Sequence, residues 1–469
     1  MIEKSSKMES MPIKKLVMSM ALPAMLSMTI QAMYNVVDSI YVSRISEEAL
    51  TAVSLAFPLQ LLIIALLAGT SAGVTSLIAR KLGEKDRDSA SSAASHGYMI
   101  NIAYSVMMVI IGVFFAKNAV LLFTDDPQLV DLTTQYISII MTFSFGRLLA
   151  QSGISILQGT GDMIRPMKAM LIGAISNIIL DPILIFGWFG VPAMGIRGAA
   201  IATVAGQILS FFYISVIIRN GRHEVDIKLR GFKPDKKVFK DIYVVALPGI
   251  IMQSLGSVML TGLNIILIGF TPTAVAVLGV YFKLQSIIIM PMFGLTQGYM
   301  PIMGYNYGAK NKKRMLDTLK FSLKIAFIIM ATGATVIILF PRQLLLMFDA
   351  SDEMISIGVI ALRSIAACLP IAAMSITFSV TFQAMGKGYV SLIASFIRQI
   401  IFLLPAAVIL SRVVGLNGVW FAFIIAEVVA FSIIGPWLMN DFKKTFRKWE
   451  VDAETYDVER EPLVTDIPK

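Results

Sequence analysis

The sequence is poor in the residues that carry most soluble chemistry. It has one cysteine, Cys368, and two histidines in 469 residues. A lone cysteine inside an apolar stretch excludes a disulfide framework and a cysteine-based metal site, so no redox role is expected. Charged residues make up only 15% of the chain, too few to cover the surface of a water-soluble protein of this size. No G-x-x-x-x-G-K-S/T or H-E-x-x-H pattern occurs, so P-loop ATP hydrolysis and zinc peptidase chemistry are not expected. Gly69-Thr70-Ser71-Ala72-Gly73 fits G-x-S-x-G, but no strand precedes it and its copy at Gly294 to Gly298 has no serine. Close helix packing through G-x-x-x-G accounts for both. No catalytic constellation emerges, and an enzyme or a soluble nucleic-acid binder is set aside.

What the chain has in abundance is apolar length. Hydrophobic residues make up 57%, and the mean hydropathy is +0.77. A bilayer core of about 30 Å needs about 20 apolar residues per spanning helix, and the sequence offers twelve such stretches between short polar breaks. They read as helices at roughly 16–42, 50–79, 92–116, 131–158, 166–187 and 198–218. A second set follows at roughly 241–270, 274–303, 317–340, 354–384, 390–411 and 417–439. The first apolar segment lacks a small-residue cleavage pattern and reads as an uncleaved span. The expected fold is an all-α polytopic membrane protein with 12 transmembrane helices, monomeric in the lipid bilayer.

The net charge of +10 matters through its placement. Of the 40 Lys and Arg, 28 fall in the N-terminus, the even-to-odd connections and the segment after the last span. Only Arg44, Lys117, Arg197, Arg342 and Arg412 fall in the opposite loops. Both termini of a multi-pass cell membrane protein are therefore expected in the cytoplasm. The domain reading is an N-lobe at 1–218, a basic cytoplasmic linker at 219–240 that carries Pro234 and His223, a C-lobe at 241–440 and a tail at 441–469. The tail turns acidic from Glu450 and reads as disordered.

The halves repeat at a constant offset of 225. Leu22-Pro23 matches Leu247-Pro248, Gln60 matches Gln285, Gly69 and Gly73 match Gly294 and Gly298, and Gly83 matches Gly308. Gln158 and Gly161 match Gln383 and Gly386 before the offset drops to 220 at Gly195/Gly415. Six spans return the chain to its starting side, so the two six-helix bundles share one orientation, related by a pseudo-two-fold axis along the membrane normal. That is the architecture of alternating-access transporters, and without a P-loop the driving force has to be an ion gradient. No cofactor is expected beyond H⁺ or Na⁺ as the coupling ion.

Of the thirty carboxylates, only Asp38, Asp181 and Glu427 fall well inside spans, where each costs ~2.5–3.5 kcal/mol at mid-helix. Gln31, Asn35 and Asp38 share one face of the first helix, and Asn177 and Asp181 one face of the fifth. Carboxyls that lose solvation in a bundle favour the neutral form, which is how a proton could be coupled to a conformational change. The same oxygens, with Asn177 and a hydroxyl such as Thr203, could instead ligate Na⁺. Pro23 and Pro182 are expected to interrupt backbone hydrogen bonding beside these stripes. Asn35, Gln60, Gln285 and Glu427 are candidates for contact with substrate, Glu427 with an ion pair to Lys283 or Arg398 as the alternative. His96, at the start of the third span, reads as a packing residue. The 29 methionines supply adaptable surface that suits a promiscuous cavity.

Over 14–444 the sequence resembles the multidrug and toxic compound extrusion family. Gln158-Gly159-Thr160-Gly161-Asp162 with Arg165-Pro166-Met167 looks like the family signature after the fourth span, and Gly304 to Ala309 is similar to its motif after the eighth. The resemblance implies a two-lobed, V-shaped antiporter that expels cationic or amphipathic small molecules in exchange for H⁺ or Na⁺. It implies Asp38 as the first-helix acid with Gln31 beside it, Tyr136 as the fourth-helix tyrosine, Asn177 and Asp181 as the fifth-helix pair and Thr203 as a sixth-helix hydroxyl. Beyond Asp241 at the very start of the seventh, the seventh and tenth spans have no acid, which sets aside the branch coupled through a C-lobe sodium site. The rival is a lipid-linked precursor flippase of the same superfamily, whose anionic headgroup would need bases such as Arg147, Lys283, Arg363 or Arg398.

Overall fold

In lipid a backbone can satisfy its polar groups only within its own helix or in a closed barrel, and the long apolar runs of this chain take the first course. The computed structural model describes residues 7–221 and 224–458, the side chains of 453–458 excepted. His223 and residues 459–469 lie outside the described residues. Every regular element among the described residues is helical, and the chain is an all-α polytopic membrane protein.

The helices are α1 (Ile13–Ser43), α2 (Glu47–Gly83), α3 (Arg87–Ile110), α4 (Pro127–Thr142 and Phe145–Gly159), α5 (Ile164–Phe186) and α6 (Ile196–Arg219). The second half holds α7 (Lys236–Ile268), α8 (Pro272–Gly308), α9 (Lys312–Leu339), α10 (Asp352–Ala366 and Leu369–Ala384), α11 (Gly388–Phe396) and α12 (Leu416–Val458). A π-helical turn, Ile111–Phe115, prolongs α3 to Val120, and a second, Ile397–Leu403, prolongs α11 to Val413. Ten of the twelve are single helices long and apolar enough to cross a membrane, and α4 and α10 are pairs bent by 44° and 43°. The two bends fall at Phe143-Ser144 and Ala367-Cys368, one repeat apart. Local chemistry sets the ends. Ser46, Asp86 and Asn311 each cap a helix by accepting a backbone N–H, and Gly187, at φ 79°, closes α5 in a left-handed conformation that suits glycine. Bonds from Ser89 also hold the Asp86 carboxyl below the usual carboxylate range.

Packing follows the repeat. Helix α1 packs on α5 as α7 packs on α11, and α5 packs on α6 as α11 packs on α12. The halves also exchange contacts reciprocally, α1 lying on α8 and α7 on α2. Small residues make those crossings close. Gly69 and Gly73 of α2 face Ala246 and Ile242 of α7, while Gly294 and Gly298 of α8 face the backbone of α1 at Ala24-Met25 and Ala21. A β-carbon at any of the four would meet the opposing helix.

The linker is stitched to the start of α3. Val225 is buried, and the N–H groups of Asp226 and Lys228 donate to Ser91 Oγ and Ser95 Oγ, each at 3.0 Å. His96 is buried between Phe232 and Phe239, and its Nε2 accepts the Asp235 N–H at 2.8 Å. With Nε2 as acceptor, Nδ1 is the donor to the Ser92 carbonyl, also 2.8 Å away.

One expectation changes. Residues 441–458 continue α12 rather than forming a disordered tail. Lys310 and Lys312 bind Asp452 and Glu450 at 3.0 and 3.1 Å, tying the start of the acidic segment to the base of α9. Pro23 and Pro182 lie inside continuous helices, where each removes one backbone donor as expected, and the sharp breaks of the fold are in α4 and α10.

Candidate functional site

Between the halves lies a cavity of about 1020 Å³. One end is sealed. Gly83 meets the Tyr305 carbonyl and Gly308 the Arg80 carbonyl, and Ser76 Oγ donates to the carbonyls of Gln383 and Ala384 at 2.7 and 3.0 Å. These contacts close the face that carries the basic connections. The cavity runs from there towards the opposite face, where Asn35, Asp38 and Ser39 line it.

Burial along α1 shows why that helix serves both regions. Leu16, Val17, Met20, Ala21 and Ala24 are buried, and beyond Met25 the helix turns polar side chains to the cavity. Gln31, Asn35 and Asp38 all line it, as do Gln60, Tyr136, Asn177 and Thr203 on the other helices of the first half. Asn177 is the hub. Its Nδ2 donates to Asp181 Oδ1 at 3.2 Å and to Thr203 Oγ1 at 3.3 Å. Asp181 is fully buried behind it and does not line the cavity. Asp38 and Asp181 lie close enough for their carboxyls to interact directly. The two polar stripes read from α1 and α5 thus meet in space.

The arrangement is rich in acceptors and short of donors. Asp38 Oδ1, Asn177 Oδ1 and Asp181 Oδ2 are buried and receive no hydrogen bond from the described residues. Two ionised carboxylates have no proton to offer each other, so a single proton between Asp38 and Asp181 would supply the missing donor. Three oxygens without donors beside the Thr203 hydroxyl are equally a set that a hard cation could fill. Tyr34, one turn from Gln31, lies near Gln31, Arg147 and Asp38. Tyr136 is buried beside Gln60.

The second half meets the cavity with a different device. Arg398 Nη1 donates to Glu427 Oε1 at 2.7 Å, and the other carboxylate oxygen is buried without a donor. The π-helical turn of α11 presents Arg398 and Gln399 to the cavity. Glu427 and Gln285 both line the cavity. Of the alternatives for the Glu427 partner, Lys283 is excluded by position, since it lies over the Phe348 ring. Arg363 donates to the Ile338 carbonyl outside the cavity. Only Arg147 and Arg398 bring positive charge to the described lining.

Sequence reasoning missed one property of the lining. Ten of the thirteen glutamines of the chain line the cavity, all but Gln128, Gln135 and Gln343. The signal was present, because an amide inside a span is costly unless it faces a cavity or a partner, and it applies to every mid-span glutamine.

A family model described as MatE matches residues 23–183 and 248–409. The chain is similar to the multidrug export protein MepA of Staphylococcus aureus (strain NCTC 8325 / PS 47), 24% identical over 422 residues that cover 89% of this chain and 92% of that protein. The MepA of Staphylococcus haemolyticus (strain JCSC1435) is also 24% identical, over 90% of this chain and 92% of its own length. Among solved structures, a MATE in complex with MaL6 has a TM-score of 0.88 and 29% identity, covering 95% of this chain and 100% of that one. An outward-facing multidrug resistance MATE family transporter of the MOP superfamily gives the same TM-score and identity over 95% and 99%.

Proposed function

The chain belongs to the MatE family, and from that premise we propose that it is a secondary active multidrug efflux antiporter. It exports cationic or amphipathic compounds across the cell membrane in exchange for protons, by alternating access. Its similarity to multidrug export proteins over nine-tenths of both chains supports the substrate class. The observation that carries the coupling is the facing pair Asp38 and Asp181, one on the cavity wall and one buried behind it.

The chemistry follows from that pair. With both carboxylates ionised, the wall at Asp38 attracts an organic cation. A proton arriving from outside bridges Asp38 and Asp181, halves the charge of the pair, weakens that attraction and so releases the cation. Loss of the proton to the cytoplasm resets the site, so the two cargoes compete for one field and the coupling is a difference in affinity between states. Asn177 and Thr203 hold Asp181 in register, while Tyr34, Gln31 and Tyr136 with Gln60 frame Asp38. The glutamine lining offers donors and acceptors that turn to suit many ligands. Both termini are assigned to the cytoplasm from the charge bias, so the sealed face is the inner one and the arrangement is outward-facing.

A sodium-coupled version uses the same oxygens and is favoured by the three that lack donors. The flippase alternative has less support, because each half gives the cavity one arginine and Arg398 is already paired.

Efflux of a cationic dye from proteoliposomes, with pH and Na⁺ gradients imposed separately, tests the reading. The expected result is efflux that follows the pH gradient and is unchanged when Na⁺ replaces K⁺ at constant pH. Efflux driven by Na⁺ alone would transfer the coupling to sodium, and no efflux under either gradient would refute antiport.

A further inference from the structure

We infer that the face carrying the basic connections holds a binding site for the phosphate headgroup of an anionic phospholipid, where the start of α9 meets the end of α12. A second cavity, of about 300 Å³, lies there, apart from the central one. One wall is apolar, from Leu316, Met439, Phe442 and Phe446, and the rim is basic, from Lys312, Lys443 and Arg447.

Two of the three basic side chains at this rim are not spent on the described protein. Glu450 is the one acid among the described residues that line the cavity, and Lys312 pairs with it at 3.1 Å while lying over the Phe446 ring at 5.3 Å. Lys443 and Arg447 sit one helical turn apart on the same face of α12. Both are exposed, and neither pairs with a described residue. Two uncompensated positive charges therefore point into one small cavity.

Depth selects the ligand. Met439, 53% exposed, belongs to the last apolar turn of α12, and Asn440 and Asp441 follow it. Trp449 packs on Phe446 at 5.5 Å further along the helix. The cavity thus straddles the level at which hydrocarbon gives way to headgroups. Acyl carbons would lie along Leu316 and Met439, and a phosphate would lie between Lys443 and Arg447. A basic pocket between spanning helices at this depth is suited to an anionic lipid headgroup. A soluble anion would leave the apolar wall uncovered. The site does not depend on the antiport reading, and only its assignment to the inner leaflet rests on the orientation proposed above.

Native mass spectrometry of the full chain in detergent, titrated separately with phosphatidylglycerol and phosphatidylethanolamine, tests this. The wild type is expected to retain phosphatidylglycerol preferentially. K443Q/R447Q should weaken that retention roughly 25-fold, at roughly fivefold for each basic residue, and leave phosphatidylethanolamine unchanged. K236Q/K237Q removes equal charge from the exposed start of α7 and should leave both lipids as in the wild type. Equal retention of the two lipids, an equal loss in the α7 pair, or displacement of phosphatidylglycerol by millimolar inorganic phosphate would each overturn the proposal.

Discussion

Gly83 in α2 lies directly against the backbone carbonyl of Tyr305 in α8. One repeat later Gly308 lies in the same way against the carbonyl of Arg80. The ends of the same two helices therefore meet through two reciprocal contacts at one crossing, and this double contact closes the basic face of the cavity. A side chain at either glycine has backbone, which cannot step aside, in its path. Gly83→Val should hold the face open. A cysteine at Ser76 on a Cys368→Ala background should then react several times faster with an impermeant maleimide applied from that side, and dye efflux should fall. Unchanged labelling with unchanged efflux would mean that this contact is not the seal.

Asp38 and Asp181 face each other, so their effects on coupling should not add. Asp38→Asn and Asp181→Asn should each lower pH-driven dye efflux by roughly 5- to 150-fold, the usual range of a coupling energy. The double variant should be little worse than either single one. Dye binding at fixed pH should survive in Asp181→Asn, because Asp181 does not line the cavity. Additive losses would argue for two independent proton sites.

Arg398 and Glu427 are partly buried partners at 2.7 Å. Removing one strands the other in the cavity wall, and for buried pairs that costs about 3–5 kcal/mol. The residual exposure of this pair puts the expected loss at the lower end. Arg398→Met and Glu427→Leu should each lower the thermal midpoint, and the double variant should recover part of the loss. A double variant less stable than both singles would contradict this account.

His96 holds the linker to α3 with both ring nitrogens engaged. His96→Ala leaves the Asp235 N–H without its acceptor, at about 1–3 kcal/mol, and opens space between Phe232 and Phe239. Limited proteolysis should cut the linker faster, while the direction of coupling stays the same. Protection equal to that of the wild type would show that the serine contacts suffice.

Sodium offers a separate check on the donor-less oxygens. If Na⁺ occupies them, replacing K⁺ by Na⁺ at constant pH should raise the melting midpoint of the wild type and not of Thr203→Ala. The proton reading predicts no difference between the two salts in either protein.

The sequence by itself determined the class of the fold, because a chain with this much apolar length and so little charge can satisfy its backbone only as membrane helices. Twelve spans, the offset of 225 and the choice of Asp38, Asn177 and Asp181 were legible for the same reason. Helical periodicity and the cost of a charge in hydrocarbon act locally and leave marks in composition. Tertiary structure alone decided which side chains meet. Asp38 and Asp181 are 143 positions apart, and only the packing of α1 on α5 brings their carboxyls together. Packing likewise gave Glu427 to Arg398 rather than Lys283 and gathered ten glutamines from both halves around one cavity. It also carried α12 on to Val458, where ion pairs to the base of α9 hold a segment whose composition reads as disordered. Such contacts depend on distances between helices, and spacing along one helix does not contain them.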